Sequence, residues 1–202
     1  MKKFAFIGAG SLQFTTSCIR DLLTFPAFSE SEFALMDTDE NNLKNIEKIV
    51  KTIIEKMNCP KCKVTTTMDR AEALSGADGV LCTVFNGDVD VWQHEILIPK
   101  KYGIDINVGD TRSVSGIFRA LRNIPLMLDI CKDIEKYCPN AVFLNYTNPM
   151  SMLCGAMQKY ANVDVTGLCH SVQLTISMLS EWLNIPYEEI DYLCKGVNHQ
   201  AF

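Results

Sequence analysis

An α/β fold, with a doubly wound and mainly parallel sheet carrying helices on both faces, is predicted by three observations. Short apolar runs of strand length alternate with amphipathic helical stretches along the chain. The first run, Phe4-Ala5-Phe6-Ile7, breaks at Gly8-Ala9-Gly10-Ser11 straight into a helical pattern. The second run ends on an acidic residue, Asp37. A glycine turn between strand and helix, followed by an acid closing the next strand, is the arrangement with which a Rossmann-like fold holds a dinucleotide.

The first element is Lys3 to Ile7, a buried strand, and the helix after it runs from about Leu12 to Leu23. Gly8 permits the tight turn, Gly10 lets a diphosphate approach the backbone, and the amides around Ser11 with the helix dipole attract its charge. Gln13 stands where a third glycine of the fingerprint is expected. After Phe25-Pro26, Glu32 to Met36 is the second strand and delivers Asp37, 27 positions after Gly10. The usual interval is ~20, and the linker from Phe25 to Ser31 accounts for the difference. The Asp37 carboxylate suits ribose hydroxyls and repels a 2′-phosphate, and no arginine stands beside it in Asp37-Thr38-Asp39, so NAD is expected over NADP. The competing role for Asp37 is to cap the next helix.

That helix, Asn42 to Met57, places Leu43, Ile46, Ile49, Val50, Ile53, Ile54 and Met57 at helical spacing, giving one apolar face against the sheet. Lys63 to Thr67 is a strand, Arg70 to Leu74 a short helix and Gly79 to Val84 a strand, followed by the loop Asn86-Gly87-Asp88. A helix from Val91 to Tyr102 carries Trp92, His94 and Glu95, and no role is assigned to His94. The polar, glycine-flanked stretch Val108 to Gly116 is a candidate substrate loop, and Ile117 to Tyr137 is a helical stretch interrupted by Pro125. Ala141 to Tyr146 is a strand presenting Thr147-Asn148-Pro149, where the proline holds Asn148 extended so that its amide projects from the rim. Met150 to Tyr160 is a helix, Asp164 to Leu168 a strand ending in Cys169-His170-Ser171, and a last helix runs to Leu183. A further strand, Tyr192 to Val197, ends in Asn198-His199. The sheet therefore has at least six strands.

Composition bounds the function. The 202 residues are 48% hydrophobic and 21% charged, enough for one substantial core and the beginning of a second unit. The formal charge of −5 is spread without a basic stripe, which argues against nucleic acid or an anionic membrane as partner. The start, MKKFAFIGAG, is too short an apolar run for a signal peptide, and no stretch approaches the ~18 apolar residues of a span, so a cytoplasmic protein is expected. Nine cysteines, an odd number, fit reduced thiols; Cys18, Cys82, Cys131, Cys154 and Cys194 are expected to be buried apolar residues, and Cys59-Pro-Lys-Cys62 a turn.

Cys169 and His199 lie 30 positions apart, each just past the C-terminal end of a predicted strand. Such ends converge on the ligand crevice of this fold, so a thiolate and an imidazole could share a metal there and leave coordination positions for water and substrate. Taken alone, a Cys/His pair suits zinc or iron.

The ordered set of GAGS at 8–11, Asp37, GDT at 109–111 with GIFRALRNIP at 116–125, NYTNPM at 145–150, GLCHSV at 167–172 and GVNHQAF at 196–202 resembles glycoside hydrolase family four, the NAD- and divalent-metal-dependent glycosidases related in fold to lactate and malate dehydrogenases. Cys169-His170-Ser171-Val172 resembles the α-galactosidase, melibiase-like group. The resemblance implies hydrolysis by a redox route, an exception among glycosidases. NAD⁺ takes hydride from C3 of the sugar, a base removes the acidified C2 proton, the C1 oxygen leaves, water adds, and hydride returns. It implies that Cys169 and His199 hold manganese, that Asn148 holds substrate at the nicotinamide, that Asp110 binds sugar hydroxyls, and that His170 helps protonate the leaving oxygen. It further implies an NAD-binding domain over 1–195, the start of a catalytic and substrate domain at 196–202, a base beyond residue 202, and a homo-oligomer for the full-length enzyme. Two other functions are compatible with the residues. One is a lactate/malate-type 2-hydroxyacid dehydrogenase, with His199 and Arg112 or Arg119 as its nearest catalytic candidates; the other is an inactive NAD- or sugar-binding module.

Overall fold

The computed structural model describes residues 1–106 and 113–196. Strands β1 (Lys3–Ile7), β2 (Glu32–Met36), β3 (Lys63–Thr67), β4 (Gly79–Cys82), β5 (Val142–Asn145) and β6 (Val165–Gly167) form one sheet in the order β3-β2-β1-β4-β5-β6, with every neighbouring pair parallel. The connecting helices are α1 (Leu12–Leu23), α2 (Glu40–Lys56), α3 (Arg70–Leu74), α4 (Val89–Lys100), α5 (Val114–Tyr137), α6 (Met150–Tyr160) and α7 (Ser171–Leu183). Chain order runs one way from β1 to β3 and the other way from β4 to β6. The switch therefore falls between β1 and β4, where this fold opens a crevice at the C-terminal strand ends.

The sheet is apolar on both faces because successive side chains point to opposite sides. Phe4, Phe6, Phe33, Leu35 and Leu81 join Ile19 and Leu23 of α1 and Leu43, Ile46 and Val50 of α2 in one buried cluster. Their neighbours in sequence, Ala5, Ile7, Ala34, Met36, Val80 and Cys82, face the other way and pack with Leu74, Met127, Ile130, Ile134, Leu153 and Met157. Phe4 sits edge-on to Phe28 at 5.1 Å and stacks on Phe33 at 6.1 Å, so the linker between α1 and β2 is stapled onto the first cluster.

Helix starts follow local chemistry. Asp39 caps α2, accepting from the backbone N–H groups of Asn41 and Asn42, and Asp69 and Asp88 cap α3 and α4 in the same way. Ser113 accepts from the Gly116 N–H at 3.0 Å, so α5 begins at Val114, and Ser115 and Gly116 are buried helix instead of exposed loop. Pro125 does not interrupt α5, which continues for 24 residues through it. The proline and Leu121, whose carbonyl loses its donor, both lie on the exposed side, where water can serve the acceptor.

The expected strand at Tyr192 to Val197 is absent over its described part: Tyr192 to Gly196 carry no strand structure and are exposed, and Val197 lies outside the described residues. An apolar alternation becomes a strand only where a sheet edge accepts it, and among the described residues the sheet ends at β6. No helix among the described residues is long and apolar enough to cross a membrane.

All nine cysteines are free thiols. Cys82, Cys131 and Cys154 are buried as expected, whereas Cys18 on α1 is only partly so and Cys194 is exposed, the latter because Tyr192 to Gly196 form no strand. Cys59 and Cys62 form a turn closed by the Cys62 N–H to the Cys59 carbonyl at 3.0 Å. Burial pushes the Cys82 and Cys138 thiols up to about 11 and Cys131 to about 12.

Two measurements check this packing. Thiol alkylation at pH 8, read by peptide mass spectrometry, labels Cys194 readily and leaves Cys82, Cys131 and Cys138 unlabelled until denaturant is added. Gly8 has φ +83° and a Cβ there would stand 3.0 Å from the Thr83 carbonyl group, whereas a Cβ on Gly155 of α6 meets nothing within 4 Å. Chemical denaturation should accordingly show Gly8→Ala destabilised by about 1–3 kcal/mol and Gly155→Ala stabilised by about 0.5–1 kcal/mol.

Candidate dinucleotide and catalytic site

A cleft of about 700 Å³ opens at the C-terminal ends of β1, β2 and β4, bordered by Gly8, Gly10, Asp37, Thr83, Asn86 and Arg70 among others. Its floor is the glycine turn. The N–H groups of Gly8 and Ala9 donate to the Met36 carbonyl at 3.0 and 2.9 Å, and the Gly10 N–H donates to Asp37 Oδ2 at 2.8 Å. Asp37 Oδ1 accepts from the Asp39 N–H at 3.1 Å. The helix-capping role belongs to Asp39, which leaves Asp37 at the cleft with a spare lone pair on each oxygen.

Gly10 has no room for a side chain: a Cβ would stand 2.7 Å from Asp37 Oδ2 and 2.9 Å from Asn42 Cβ. At the start of α1, Ser11 provides no side-chain cap and no acidic residue occupies the first turn. The first amides of α1 thus present unmatched donors and the positive end of the helix dipole to the cleft. An uncapped helix start behind two glycines and an acid at the end of β2 fits an anionic dinucleotide.

The second part of the rim lies over β5 and β6. Asn145 is fully buried, and its side chain folds the backbone onward by donating to the Thr147 carbonyl at 3.1 Å and accepting the Thr147 N–H at 3.0 Å. Asn148 is exposed, the Asn148–Pro149 bond is cis, and Asn148 Oδ1 accepts from the Met150 N–H at 3.3 Å. Asn148 thus stands exposed after β5, with its side-chain oxygen engaged by the start of α6.

Cys169 follows β6 and is half-buried, its sulfur 3.0 Å from the Ser171 hydroxyl. His170 is exposed and lies against Phe14 of α1 at 5.1 Å between ring centroids, while Phe14 also meets Tyr146 at 5.0 Å. Burial, with Cys18 beside it, pushes the Tyr146 hydroxyl well above its ordinary range, so the phenol stays neutral. Phe14 is the joint that brings the helix of the glycine turn to the Cys169-His170 segment.

Asp110, Arg112 and His199, and with His199 the expected pairing with Cys169, lie outside the described residues. Among the described residues no group of three or more His, Cys, Asp or Glu side chains could hold a metal. Arg119, the other arginine considered for a dehydrogenase, extends over the Phe85 and Trp92 rings at 5.3 and 5.8 Å from their centroids.

Sequence reasoning missed two charged groups here. Arg70, distant in sequence from Asp37, borders the same cleft. It is matched by two carboxylates of α5, with Nη2 to Asp129 at 2.6 Å and Nε to Asp133 at 2.5 Å, so its charge is committed. The signal was present in Asp129 and Asp133, an i,i+4 acidic pair on a helix face that must find a cation. The second is the pair of Glu95 and Arg122, which joins α4 to α5 behind the cleft.

Comparison with known proteins agrees with this geometry. The chain is 44% identical over 201 residues to an alpha-galactosidase of Rhizobium meliloti (strain 1021), covering 99% of this chain and 41% of that protein. It is 39% identical over 203 residues to an alpha-galactosidase of Bacillus subtilis (strain 168), covering 100% of this chain and 47% of that protein. The chain thus spans less than half the length of these relatives. The 6-phospho-beta glucosidase of Thermotoga maritima, solved with manganese, NAD+ and glucose-6-phosphate, superposes with a TM-score of 0.81 at 25% identity over 94% of this chain and 44% of that one. The family model described as Family 4 glycosyl hydrolase matches residues 3–185, and with the switch-point cleft, the glycine turn and the acid at the end of β2 already in place, the chain belongs to family 4 of the glycosyl hydrolases.

Proposed function

We propose that this chain is the NAD-binding part of an NAD- and divalent-metal-dependent α-galactosidase. The observation that carries the reading is the turn at Gly8–Ser11 with its Gly10 N–H bonded to Asp37. Two relatives that are alpha-galactosidases, at 44% and 39% identity, support the sugar assignment.

The residues divide the work as follows. Gly8, Gly10, Ser11 and the first amides of α1 receive the diphosphate. Asp37 takes the adenosine ribose hydroxyls with the lone pairs that Gly10 and Asp39 leave open, and its charge disfavours a 2′-phosphate. Arg70 does not reverse that preference because Asp129 and Asp133 already neutralise it. Asn148 donates its amide N–H groups to the sugar beside the nicotinamide, Asp110 binds sugar hydroxyls, and His170, exposed and oriented by Phe14, delivers a proton to the leaving oxygen. Cys169 and His199 are the residues that would hold the metal. When bound, NAD supplies a reversible hydride acceptor for the sugar, and a divalent metal, manganese by resemblance, acidifies the sugar through its oxygens. The chain spans less than half of the two alpha-galactosidases, so we assign the catalytic base and the remainder of the sugar pocket to a further part of the enzyme, and we expect a homo-oligomer in the cytoplasm.

Calorimetric titration of the full chain with NAD tests the cofactor assignment. Asp37→Ala should weaken NAD at least about tenfold, the loss expected for charge-assisted hydrogen bonds to two hydroxyls. Cys169→Ala should leave NAD affinity within about twofold, since this sulfur is assigned to the metal and not to the dinucleotide. In an active full-length enzyme, release of nitrophenol from a nitrophenyl α-galactoside should require both NAD and Mn²⁺. Turnover that persists after both are removed contradicts the proposal.

A further inference from the structure

The segment that leaves β4, from Thr83 to Gly87, forms one wall of the cleft. Its shape is held from behind. Arg122 of α5 donates from Nε to the Asn86 carbonyl at 2.9 Å, and Asn86 returns a bond from Nδ2 to the Arg122 carbonyl at 3.2 Å. Gly87 has φ +85°, and a Cβ there would stand 3.2 Å from Arg122 Nε, so the turn lies directly on the guanidinium. Arg122 is in turn paired through Nη1 with Glu95 Oε1 of α4, a carboxylate only 7% exposed. Neither Glu95 nor Arg122 borders the cleft itself.

This pair is poorly designed for stability alone. Among the described residues, Glu95 Oε2 and Arg122 Nη2 find no hydrogen-bond partner, and both atoms are buried. A buried ion pair that leaves such groups unmatched gains little over apolar residues of similar volume, although losing one member strands the other charge. What an apolar pair cannot replace is the rigid fork of donors that fixes a carbonyl at one place.

We propose that Glu95 and Arg122 are positioning residues: the buried pair clamps the Asn86–Gly87 turn in the shape that the dinucleotide requires, so NAD affinity is set in part by groups behind the cleft wall. Glu95 neutralises and orients Arg122; Arg122 holds the Asn86 carbonyl and supports Gly87. The proposal rests on the reading of the cleft as an NAD site.

The test separates affinity from stability in the full chain. The double variant Glu95→Met with Arg122→Met replaces the pair by apolar side chains of similar length and leaves no charge stranded. Its thermal midpoint should stay within a few degrees of the unaltered chain, while its Kd for NAD by calorimetry should rise at least about tenfold. Arg122→Lys, which keeps the charge and one directed donor, should recover part of that loss, and Arg122→Met alone should lose both affinity and stability. NAD affinity unchanged in a folded double variant overturns the proposal, and so does equal affinity in the lysine and methionine single variants. If the double variant does not fold, Glu95→Gln decides: it keeps the acceptor for Nη1 without the charge, and a Kd identical to the unaltered chain overturns the proposal. Failure of the unaltered chain to bind NAD instead removes the cofactor reading, and this inference with it.

Discussion

The hydrogen bond from the Gly10 N–H to the Asp37 carboxylate ties the two halves of the candidate cofactor site to one another. It joins the turn after β1 to the residue that closes β2, two neighbouring strand ends that the chain reaches 27 residues apart. With the Gly8 and Ala9 N–H groups both on the Met36 carbonyl, the turn has no freedom to drift from the sheet. A charge-assisted bond of this kind is worth more than a neutral one, and here it also fixes the acid whose remaining lone pairs face the cleft. The uncapped start of α1, the narrow space at Gly10 and the position of Asp37 are consequences of that one geometry.

From it the remainder of the site is reached through packing. Phe14, three residues inside the helix that the turn begins, touches both Tyr146 after β5 and His170 after β6. The cofactor end and the residues assigned to chemistry are therefore not independent loops on a sheet. They share one aromatic joint, which stands between the glycine turn and the segment carrying Cys169. On the opposite wall, Arg70 with its two aspartates and Arg122 with Glu95 brace the ends of β3 and β4 from α5. A single long helix thus supplies the support for two walls of the cleft.

The inner strands β1, β2 and β4 were legible in the sequence because burial on both faces leaves continuous apolar runs, whereas the edge strand β3, KVTTT, is largely exposed and rests on β-branched residues; all six expected strands from Lys3 to Gly167 formed. The glycine turn and Asp37 were legible because their chemistry is local. Three expectations failed for physical reasons. Tyr192 to Gly196 had the pattern of a strand but no strand structure. Pro125 signals a break, yet on an exposed helix face water can take the carbonyl it orphans. Ser113 to Gly116 reads as polar loop until the serine is seen as a cap, which turns the next residues into buried helix. The Arg70 and Arg122 networks were not legible because each joins residues 27 or more positions apart through side chains. Membership of the family was carried by ordered motifs, whereas the metal pair of Cys169 and His199 was read from strand ends whose second member lies outside the described residues.

The central claim is that the acid at the end of β2, locked to the glycine turn, selects the dinucleotide. Titration of the full chain with NAD and with NADP under identical conditions tests it most directly. The account predicts that NAD binds at least about tenfold more tightly, because the Asp37 carboxylate accepts from ribose hydroxyls and repels a phosphate in their place. Equal affinities, or tighter binding of NADP, would contradict it.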